Sequence, residues 1–297
     1  MAANFGTEPF IAIDWGSTRR RAWRIEPDRS ISPPLREERG AGALRPEEYA
    51  LEFARLRAHF GSLPILASGM IGSARGWREV PYVTAPAALA DLAEGVVAAA
   101  DDVYIVPGIA MGETERADVM RGEEVQILGA VESGAIPSSA TIVQPGTHCK
   151  WVSLEDGRIA RFITALTGEV FGLLKQQGAL RDMLAGPVTA GEIFEAGVRK
   201  AAAEADLLGH LFGLRAAVLC GRIGVSEAPS YVSGLIIGTD VAARDVATLG
   251  HLHLLSEGPL EALYRAAIEQ LGGTCETVDS DAAFLSGMIR LGSDDAT

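Results

Sequence analysis

The sequence contains little cysteine, no long hydrophobic run and too few basic residues to balance its acids. Its three cysteines, Cys149, Cys220 and Cys275, are scattered without a Cys-x-x-Cys spacing, which argues against a disulfide framework and a zinc site and indicates a reducing compartment. No apolar run reaches the roughly 18 residues of a membrane span, and the first residues lack the basic segment and apolar core of a secretory signal. We therefore expect a cytoplasmic protein.

The formal net charge is −13 at pH 7, from 26 basic and 39 acidic side chains. Nucleic-acid binding depends on clustered Lys and Arg, so this balance argues against a nucleic-acid partner. An anionic substrate would need a local basic pocket to offset the acidic field of the whole protein. The 297 residues, 48% hydrophobic and 22% charged, are typical of a globular protein and are enough for two domains.

Residues 10–25 have the pattern of two strands joined by a polar turn. The first, β-branched run ends at Asp14, and Gly16, Ser17 and Thr18 follow before the second run begins. A glycine that opens the backbone, two hydroxyls and an acid that can hold a hydrated cation are the ingredients of a phosphate–Mg²⁺ site. The same residue types also dominate ordinary hairpin turns.

Residues 141–163 repeat this pattern. A β-branched run is followed by Gly146 and Thr147, and a second strand-like run then begins near Lys150. Two glycine–hydroxyl hairpins about 130 residues apart predict two similar halves that face one nucleotide. The arrangement resembles the sugar-kinase/actin/heat-shock ATPase superfamily, in which each half supplies one phosphate loop.

Ligand-binding loops are expected between the two hairpins. A strand over residues 64–68 ends in a glycine-rich turn, and an irregular polar–aromatic loop follows over residues 75–82. Loops at strand ends bind ligands in α/β proteins, so this loop is suited to a carboxylated polyol, although a solvated surface loop is an equal alternative. With an arginine farther along the chain, the candidate substrate-binding residues are Gly69, Met70, Ser73, Arg75, Trp77 and Arg121.

Residues 118–130 are predicted to run from a turn into a helix, with Glu123 and Glu124 in its first turn. Carboxylates at this position commonly complement the helix dipole. Here Arg121 and Gly122 precede them and leave the backbone open, so the acids would point into a cleft between the halves. A kinase needs one carboxylate to orient the attacking hydroxyl and accept its proton.

Five further elements are predicted from the remaining patterns. Residues 89–100 are helix-like, and a strand over 252–255 leads through a turn containing Gly258 into a helix that ends at residue 270. Small residues in that turn would let adenine lie against the backbone. A strand over 274–278 precedes a last helix over 282–290, with Asp281 as its N-cap.

Several strings of the sequence together resemble the 2-keto-3-deoxygalactonate kinase family, also called 2-dehydro-3-deoxygalactonokinases. The match runs through nearly the whole chain, and the strings RGEE and PGTHCKW are the most specific to this family. In chain order the matching segments are residues 13–18, 68–73, 76–77, 81–82, 119–124, 145–152, 167–169 and 233–238.

The resemblance implies an enzyme of carbohydrate metabolism that uses ATP and Mg²⁺ to phosphorylate 2-dehydro-3-deoxy-D-galactonate at O6 in D-galactonate catabolism. It also implies an α/β fold with two ribonuclease-H-like domains around a central nucleotide cleft. We expect an N-terminal domain over residues 1–136 with the sugar-acid site, a C-terminal domain over 137–280 with the adenine side, and a closing helix over 281–297 that returns to the first domain.

The same resemblance assigns roles to residues. Asp14 matches the first-loop acid that acts near Mg²⁺. The catalytic base falls at Glu123 or, one residue later, at Glu124, with Glu169 as a third alternative. The substrate carboxylate requires a cation from among Arg75, Arg78, Arg121 and Lys150, of which Lys150 could equally face the γ-phosphate. The residues that match the phosphate loops are Gly16, Ser17, Thr18, Gly146 and Thr147, and Lys150 and Gly258 are further candidate nucleotide contacts. The turn on the adenine side departs from the family pattern, because Ser256 and Glu257 stand where the family usually carries Ala-Gly or Gly-Gly.

Other functions compete with this kinase. Within the enzyme class, the substrate could be another sugar acid such as 2-keto-3-deoxygluconate, which differs by one inverted hydroxyl. Outside it, the same fold could serve as a non-catalytic sensor of ATP or sugar acid, or as an actin-like filament protein. With a kinase as the main interpretation, the expected partners are small molecules, namely the sugar acid and ATP. The sequence leaves the oligomeric state open, a homodimer being one alternative.

Overall fold

The computed structural model describes residues 5–112 and 116–293. The chain divides into two compact units. The first unit contains the chain up to Ser139, residues 153–162 and the chain from Ser280 onward, and the second contains residues 140–152 and 163–279. Among the described residues, no helix is long and apolar enough to cross a membrane.

The first unit is built on a six-stranded sheet with strand order β3-β2-β1-β4-β7-β6, beside a small sheet with order β5-β8-β9. Its elements are β1 (Phe10–Trp15), β2 (Arg20–Ile25), β3 (Leu35–Glu37), α1 (Tyr49–Phe60), β4 (Ile65–Gly69), β5 (Val83–Thr84), α2 (Leu89–Glu94), β6 (Val97–Ala100), β7 (Val103–Ile105), β8 (Ile109–Ala110), β9 (Val119–Met120), α3 (Glu123–Glu132) and, from the end of the chain, α9 (Ser280–Gly292).

Strand β1 has a hydrophobic face and a face that carries the acid. Ile11, Ile13 and Trp15 are fully buried in the core that includes α1, where the Trp15 ring lies 5.1 Å from the ring of Tyr49. Because successive side chains of a strand point to opposite faces, Asp14 must lie on the other side of the sheet. That side is covered by α3 and α9, so the position of Asp14 follows from the pleat of β1.

Helices α3 and α9 pack backbone to backbone at two glycines. A Cβ atom on Gly129 would lie 2.0 Å from the carbonyl oxygen of Ala283, and one on Gly287 would lie 2.5 Å from that of Val125. Helix α9 begins at Ser280, so Asp281 lies in its first turn and the predicted N-cap is wrong. The carboxylate of Asp281 instead forms ion pairs with arginines of the sheet.

The predicted helix over residues 89–100 is only half correct. Helix α2 ends at Glu94, and residues 97–100 form β6, which pairs antiparallel with β7. Gly95 is a poor helix former, and Val96 and Val97 are β-branched residues that favour a strand at a sheet edge. The alanines of this segment favour a helix, so the sequence pattern did not indicate the change from helix to strand.

The second unit contains β10, β13 and β14, the three parallel strands of a five-stranded sheet with order β12-β11-β10-β13-β14, while residues 153–162 of β11 and β12 are grouped with the first unit. In both large sheets, the first three strands lie in the reverse of their chain order and the later strands continue from the first strand. This is the ribonuclease-H-like topology, so the predicted fold class is confirmed. The elements are β10 (Ala140–Gln144), β11 (Cys149–Glu155), β12 (Arg158–Ala165), α4 (Thr167–Gln176), α5 (Glu192–Ala203), α6 (Leu207–Leu219), α7 (Ala228–Ala242), β13 (His251–Leu255), α8 (Pro259–Gln270) and β14 (Thr274–Val278).

Candidate active site

Three chain segments of the first unit meet at the carboxyl end of β1. Gly69, at the end of β4, has a φ of 100°, and a Cβ there would lie 2.7 Å from the carbonyl oxygen of Trp15. Gly122, just before α3, has a φ of 107°, and its Cβ would lie 3.1 Å from the Cα of Gly69. Both backbone conformations favour glycine. The two glycines thus allow the start of α3 to lie directly on the strand ends.

A row of polar side chains follows from this packing. Asp14 and Ser68 are partners in the parallel β1–β4 register and share one face of the sheet. The Ser68 hydroxyl donates to Glu124 Oε1 at 3.4 Å, and Gln126 Nε2 donates to Asp14 Oδ2 at 3.5 Å. The structure therefore brings two of the three predicted catalytic acids, Asp14 and Glu124, onto one face of the first unit.

Glu124 is a wholly buried carboxyl group. The backbone N–H of Gly122 donates to its Oε1 and Oε2 at 2.9 and 2.7 Å. Removal from water, with a smaller effect from the neighbouring charge of Glu123, raises the pKa of Glu124 to about 7, although these backbone donors and Arg121 oppose the shift. A carboxyl group with this pKa can accept a proton efficiently near neutral pH.

Glu123 has a different environment. Its side chain is partly exposed, and Oε2 accepts a hydrogen bond from the backbone N–H of Arg121 at 3.0 Å. This bond closes the turn before α3. The two adjacent glutamates are therefore distinguished by burial: Glu124 faces the sheet and Glu123 faces outward.

Asp14 is held by an arginine that the sequence analysis did not single out. Arg21, opposite Asp14 in the β1–β2 ladder, contacts its Oδ2 through Nη2 at 2.5 Å and through Nε at 3.2 Å. Arg21 also pairs with Asp281 Oδ1 at 2.5 Å, and Arg36 pairs with the other oxygen of Asp281. Hairpin register could have identified Arg21, whereas Asp281 is 260 residues away in sequence and gave no local signal.

The first candidate phosphate loop, residues 16–19, is supported by a turn at residues 40–42. The backbone N–H groups of Ala41 and Gly42 donate to the carbonyls of Gly16 and Ser17 at 2.9 and 3.2 Å. A Cβ on Gly40 would lie 2.1 Å from the Ser17 carbonyl oxygen. Ser17 and its neighbour in the loop remain exposed, which is what a ligand-binding loop requires.

The predicted sugar-acid residues occupy different surroundings. Ser73 donates its hydroxyl to the Met70 carbonyl at 2.8 Å, within the turn after β4, and Arg75 is exposed. Trp77 packs its ring 4.8 Å from that of Phe53, next to the hydrophobic core, and a substrate contact by Trp77 stays a prediction. The remaining candidate, Arg121, is buried beside the start of α3.

The second candidate phosphate loop lies between β10 and β11. A Cβ on Gly168 would lie 2.4 Å from the carbonyl oxygen of Gly146, and the N–H of Glu169 donates to the Thr147 carbonyl at 2.8 Å. The Glu169 carboxylate is 2.6 Å from His148 Nε2. Glu169, the third candidate base, thus has His148 as its partner at the start of α4.

Lys150 and Cys149 are both buried behind this second loop. Lys150 Nζ donates to Thr164 Oγ1 at 2.8 Å. Burial raises the pKa of the Cys149 thiol well above its usual range, so this cysteine is a packing residue and not a reactive thiolate.

A buried carboxylate organises the interior of the second unit. Asp240 Oδ2 accepts hydrogen bonds from Trp151 Nε1 at 3.0 Å and from the Tyr264 hydroxyl at 3.2 Å, and Arg244 pairs with Oδ1 at 3.2 Å. The Tyr264 hydroxyl also lies 2.9 Å from Thr167 Oγ1. Burial raises the pKa of Asp240, while these donors oppose the shift. The network fixes the first residue of α4 relative to the sheet.

An apolar cavity of about 180 Å³ lies between α4, α7 and α8. It adjoins the second loop through Gly168, and the exposed Gly258 directly precedes its α8 wall. A largely apolar pocket with few polar groups at its edge suits a flat aromatic base. The residues that line it are Thr167, Gly168, Phe171, Val188, Ser233, Ile236, Ile237, Pro259, Leu260, Leu263 and Tyr264.

Comparison with known proteins supplies an independent line of evidence. A family model described as 2-keto-3-deoxy-galactonokinase matches residues 14–291. The 2-dehydro-3-deoxygalactonokinase of Escherichia coli (strain K12) is 33% identical over 286 residues, covering 95% of this chain and 97% of that protein. A Rhizobium meliloti (strain 1021) protein described as a probable 2-dehydro-3-deoxygalactonokinase, DgoK1, is 33% identical over 302 residues, covering 94% and 95%.

A solved structure extends the comparison to three dimensions. The crystal structure of a Sinorhizobium meliloti protein, provisionally described as a 2-dehydro-3-deoxygalactonokinase, matches this chain with a TM-score of 0.89 at 32% identity, covering 95% of each chain. These similarities confirm the resemblance that the sequence strings indicated.

Proposed function

Because the chain belongs to the 2-keto-3-deoxy-galactonokinase family, we propose that it transfers the γ-phosphoryl group of ATP to O6 of 2-dehydro-3-deoxy-D-galactonate. The product is 2-dehydro-3-deoxy-6-phosphogalactonate. The observation that carries the proposal is that Asp14 and a buried carboxyl of raised pKa, Glu124, lie on one face of the first unit, with Ser68 next to both. Phosphoryl transfer depends mainly on positioning and charge stabilisation, which such a pair can provide.

We propose Glu124 as the base that accepts the O6 proton. The sequence register favours Glu123 as the base. The pKa of Glu124, which is raised to about 7, and its contact with Ser68 next to Asp14 support Glu124 instead. Since Glu124 is wholly buried, the sugar acid has to uncover it on binding, which would make catalysis depend on the correct substrate. Glu123, which is partly exposed, is the alternative base.

The same proposal includes Mg²⁺ with the nucleotide. Among the described residues there is no group of three or more His, Cys, Asp or Glu side chains suited to a metal. Mg²⁺ bound to ATP usually needs only one or two protein carboxylates, because waters and phosphates fill its other positions, and Asp14 fits that requirement. Bound there, the ion would neutralise charge on the transferring phosphoryl group.

We further propose that the glycines and hydroxyls of both loops contact the phosphates of ATP, and that the apolar cavity beside Gly168 accepts adenine. The cavity's size and apolar lining support this proposal. The predicted domain boundaries, the cytoplasmic location and a homodimer stay predictions.

Release of ADP from Mg-ATP tests the proposed activity. We expect release that depends on 2-dehydro-3-deoxy-D-galactonate and is much slower with its gluconate epimer. Equal rates with the two epimers would indicate a broader sugar-acid kinase. Measurable ATP binding without ADP release from either substrate would contradict a kinase and favour a sensor.

A further inference from the structure

Arg121 is a buried cation whose charge lowers the pKa of Glu124 but which forms no ion pair with an acid in the described part of the chain. Only 8% of the residue is exposed, and Nη2 donates to the Val80 carbonyl at 2.7 Å. Its Nε and Nη1 atoms have no hydrogen-bond partner, and Arg121 forms no ion pair within residues 5–112 and 116–293. Burying a charge with polar atoms left unpaired is strongly unfavourable, and a bound anion would supply the missing partners.

The guanidinium is held in a fixed position by its neighbours. The Tyr82 ring lies 4.2 Å from its central carbon, and Val80 accepts one of its N–H groups. A Cβ on Gly72 would lie 2.9 Å from Nη1, so the glycine leaves the space that this nitrogen occupies. A planar cation fixed in this way is suited to recognise a carboxylate in one orientation.

The position of Arg121 in the chain links it to the proposed reaction. It directly precedes Gly122, which packs on Gly69 at the end of β4, and it lies three residues before the proposed base. In the open-chain sugar acid, the carboxylate and O6 lie at opposite ends of a six-carbon chain. One substrate molecule can therefore engage a cation and a base that are separate but close.

The other candidate cations fit this role less well. Arg78 is exposed and donates Nη1 to the Ala99 carbonyl at 2.6 Å, and Arg75 is also exposed. Lys150 belongs to the second unit and is bonded to Thr164. A desolvated carboxylate gains most from a buried guanidinium, because the interaction is strongest where water is excluded.

We propose that Arg121 binds the carboxylate of the sugar-acid substrate, and that the Tyr82 ring covers the guanidinium until the substrate displaces it. This inference rests on the proposed function, since it concerns the same substrate. Tyr82 is 39% exposed, which leaves its ring free to move outward. Arg121 would then select sugar acids over neutral sugars of the same length.

Calorimetric binding of the sugar acid in the absence of ATP tests the inference. The comparison uses 2-dehydro-3-deoxy-D-galactonate and its C1 carboxamide, which is neutral. In Arg121→Gln we expect affinity for the acid to fall about 100-fold while affinity for the amide changes by less than about threefold. Arg45→Gln, an exposed arginine of the same unit with acidic neighbours, is the matched control and should bind both compounds as the wild type does.

The outcomes separate this inference from the proposed function. If the wild type releases no ADP with the sugar acid, the proposed function fails. If the wild type is active but Arg121→Gln still prefers the acid over the amide as strongly as wild type, Arg121 is not the carboxylate site. Should Arg121→Gln fail to fold, a crystal structure of the wild type with the acid decides: a carboxylate bound at any other cation overturns the inference.

Discussion

The two candidate phosphate loops share a sequence pattern but are supported in different ways. The first loop is held by a turn at residues 40–42, more than 20 residues later in the chain, whereas the second is held by α4, which starts just after its own strands. In both, a glycine packs against a loop carbonyl: Gly40 against Ser17 and Gly168 against Gly146. The two loops are therefore held by the same kind of glycine contact, but the contact comes from a different structural element in each unit.

The acid is the main difference between the two loops. Asp14 stands two residues before Gly16, and Gln144 occupies the same place before Gly146. Asp14 is paired with Arg21 and lies on the same face as the buried Glu124. In the second unit, the hydrogen-bonded pair of His148 and Glu169 lies at the loop. We infer that the loops have different tasks: the first combines phosphate contact with metal and base, and the second contacts phosphate alone.

Truncating Asp14 and its counterpart Gln144 to alanine gives the largest expected contrast. Asp14→Ala should lower kcat about 1000-fold, because it removes the carboxylate that we propose holds the metal of Mg-ATP. Gln144→Ala, the matched change in the second loop, should lower it less than about tenfold. Steady-state rates over a Mg²⁺ titration check both, with unfolding midpoints to verify that each variant is folded. Similar losses in the two variants would contradict a division of tasks.

Neutralising the proposed base should have the next largest effect. Glu124→Gln keeps the shape of the side chain but cannot accept a proton, so kcat should fall about 100-fold with little change in ATP binding. Glu123→Gln is the control and should keep most of the activity. Single-turnover rates distinguish the two, and a loss confined to Glu123→Gln would move the base by one residue.

The same residue should make stability depend on pH. Since burial raises the pKa of Glu124 from 4.5 to about 7, the folded protein keeps a proton there that the unfolded chain releases. The resulting stabilisation is complete below about pH 4.5 and is lost as the pH rises through 7. Relative to wild type, the free energy of unfolding of Glu124→Gln should therefore increase by about 2 to 3 kcal/mol as the pH is raised from 5 to 8, which urea unfolding at each pH measures. A constant difference would mean that Glu124 titrates normally.

The glycine supports should give the smallest effects and compare the loops directly. Gly40→Ala and Gly168→Ala each place a methyl group against a loop carbonyl, so each should displace its loop and raise the KM for ATP about tenfold. Gly172→Ala, also in α4, meets nothing within 4 Å and should leave the KM unchanged. A raised KM in only one of the two variants would show that a single loop carries the phosphate contacts.

Local patterns in the sequence account for much of this fold. The strand runs around Asp14 and Gly146, with the turn residues between their strands, predicted both hairpins. The alternation of Ile11, Ile13 and Trp15 also determines which face Asp14 occupies. These features depend on residues close in the chain, so they can be read without the structure.

What could not be predicted depends on contacts between distant residues. Asp281 reads locally as a helix cap, but its carboxylate pairs with Arg21, and only the docking of α9 brings the two together. Gly40 resembles an ordinary loop glycine until the Ser17 carbonyl is found against it. Likewise, the difference between Glu123 and Glu124 is one of burial, which the helix pattern alone left open by one residue.

A phosphorus NMR spectrum of the reaction mixture tests the proposed kinase and its regiochemistry together. With protein, Mg-ATP and 2-dehydro-3-deoxy-D-galactonate, we predict a new phosphomonoester signal coupled to the two C6 protons, formed in equal amount with ADP and absent without the sugar acid. Intact ATP, or ADP formed with inorganic phosphate alone, would contradict the proposed transfer to O6.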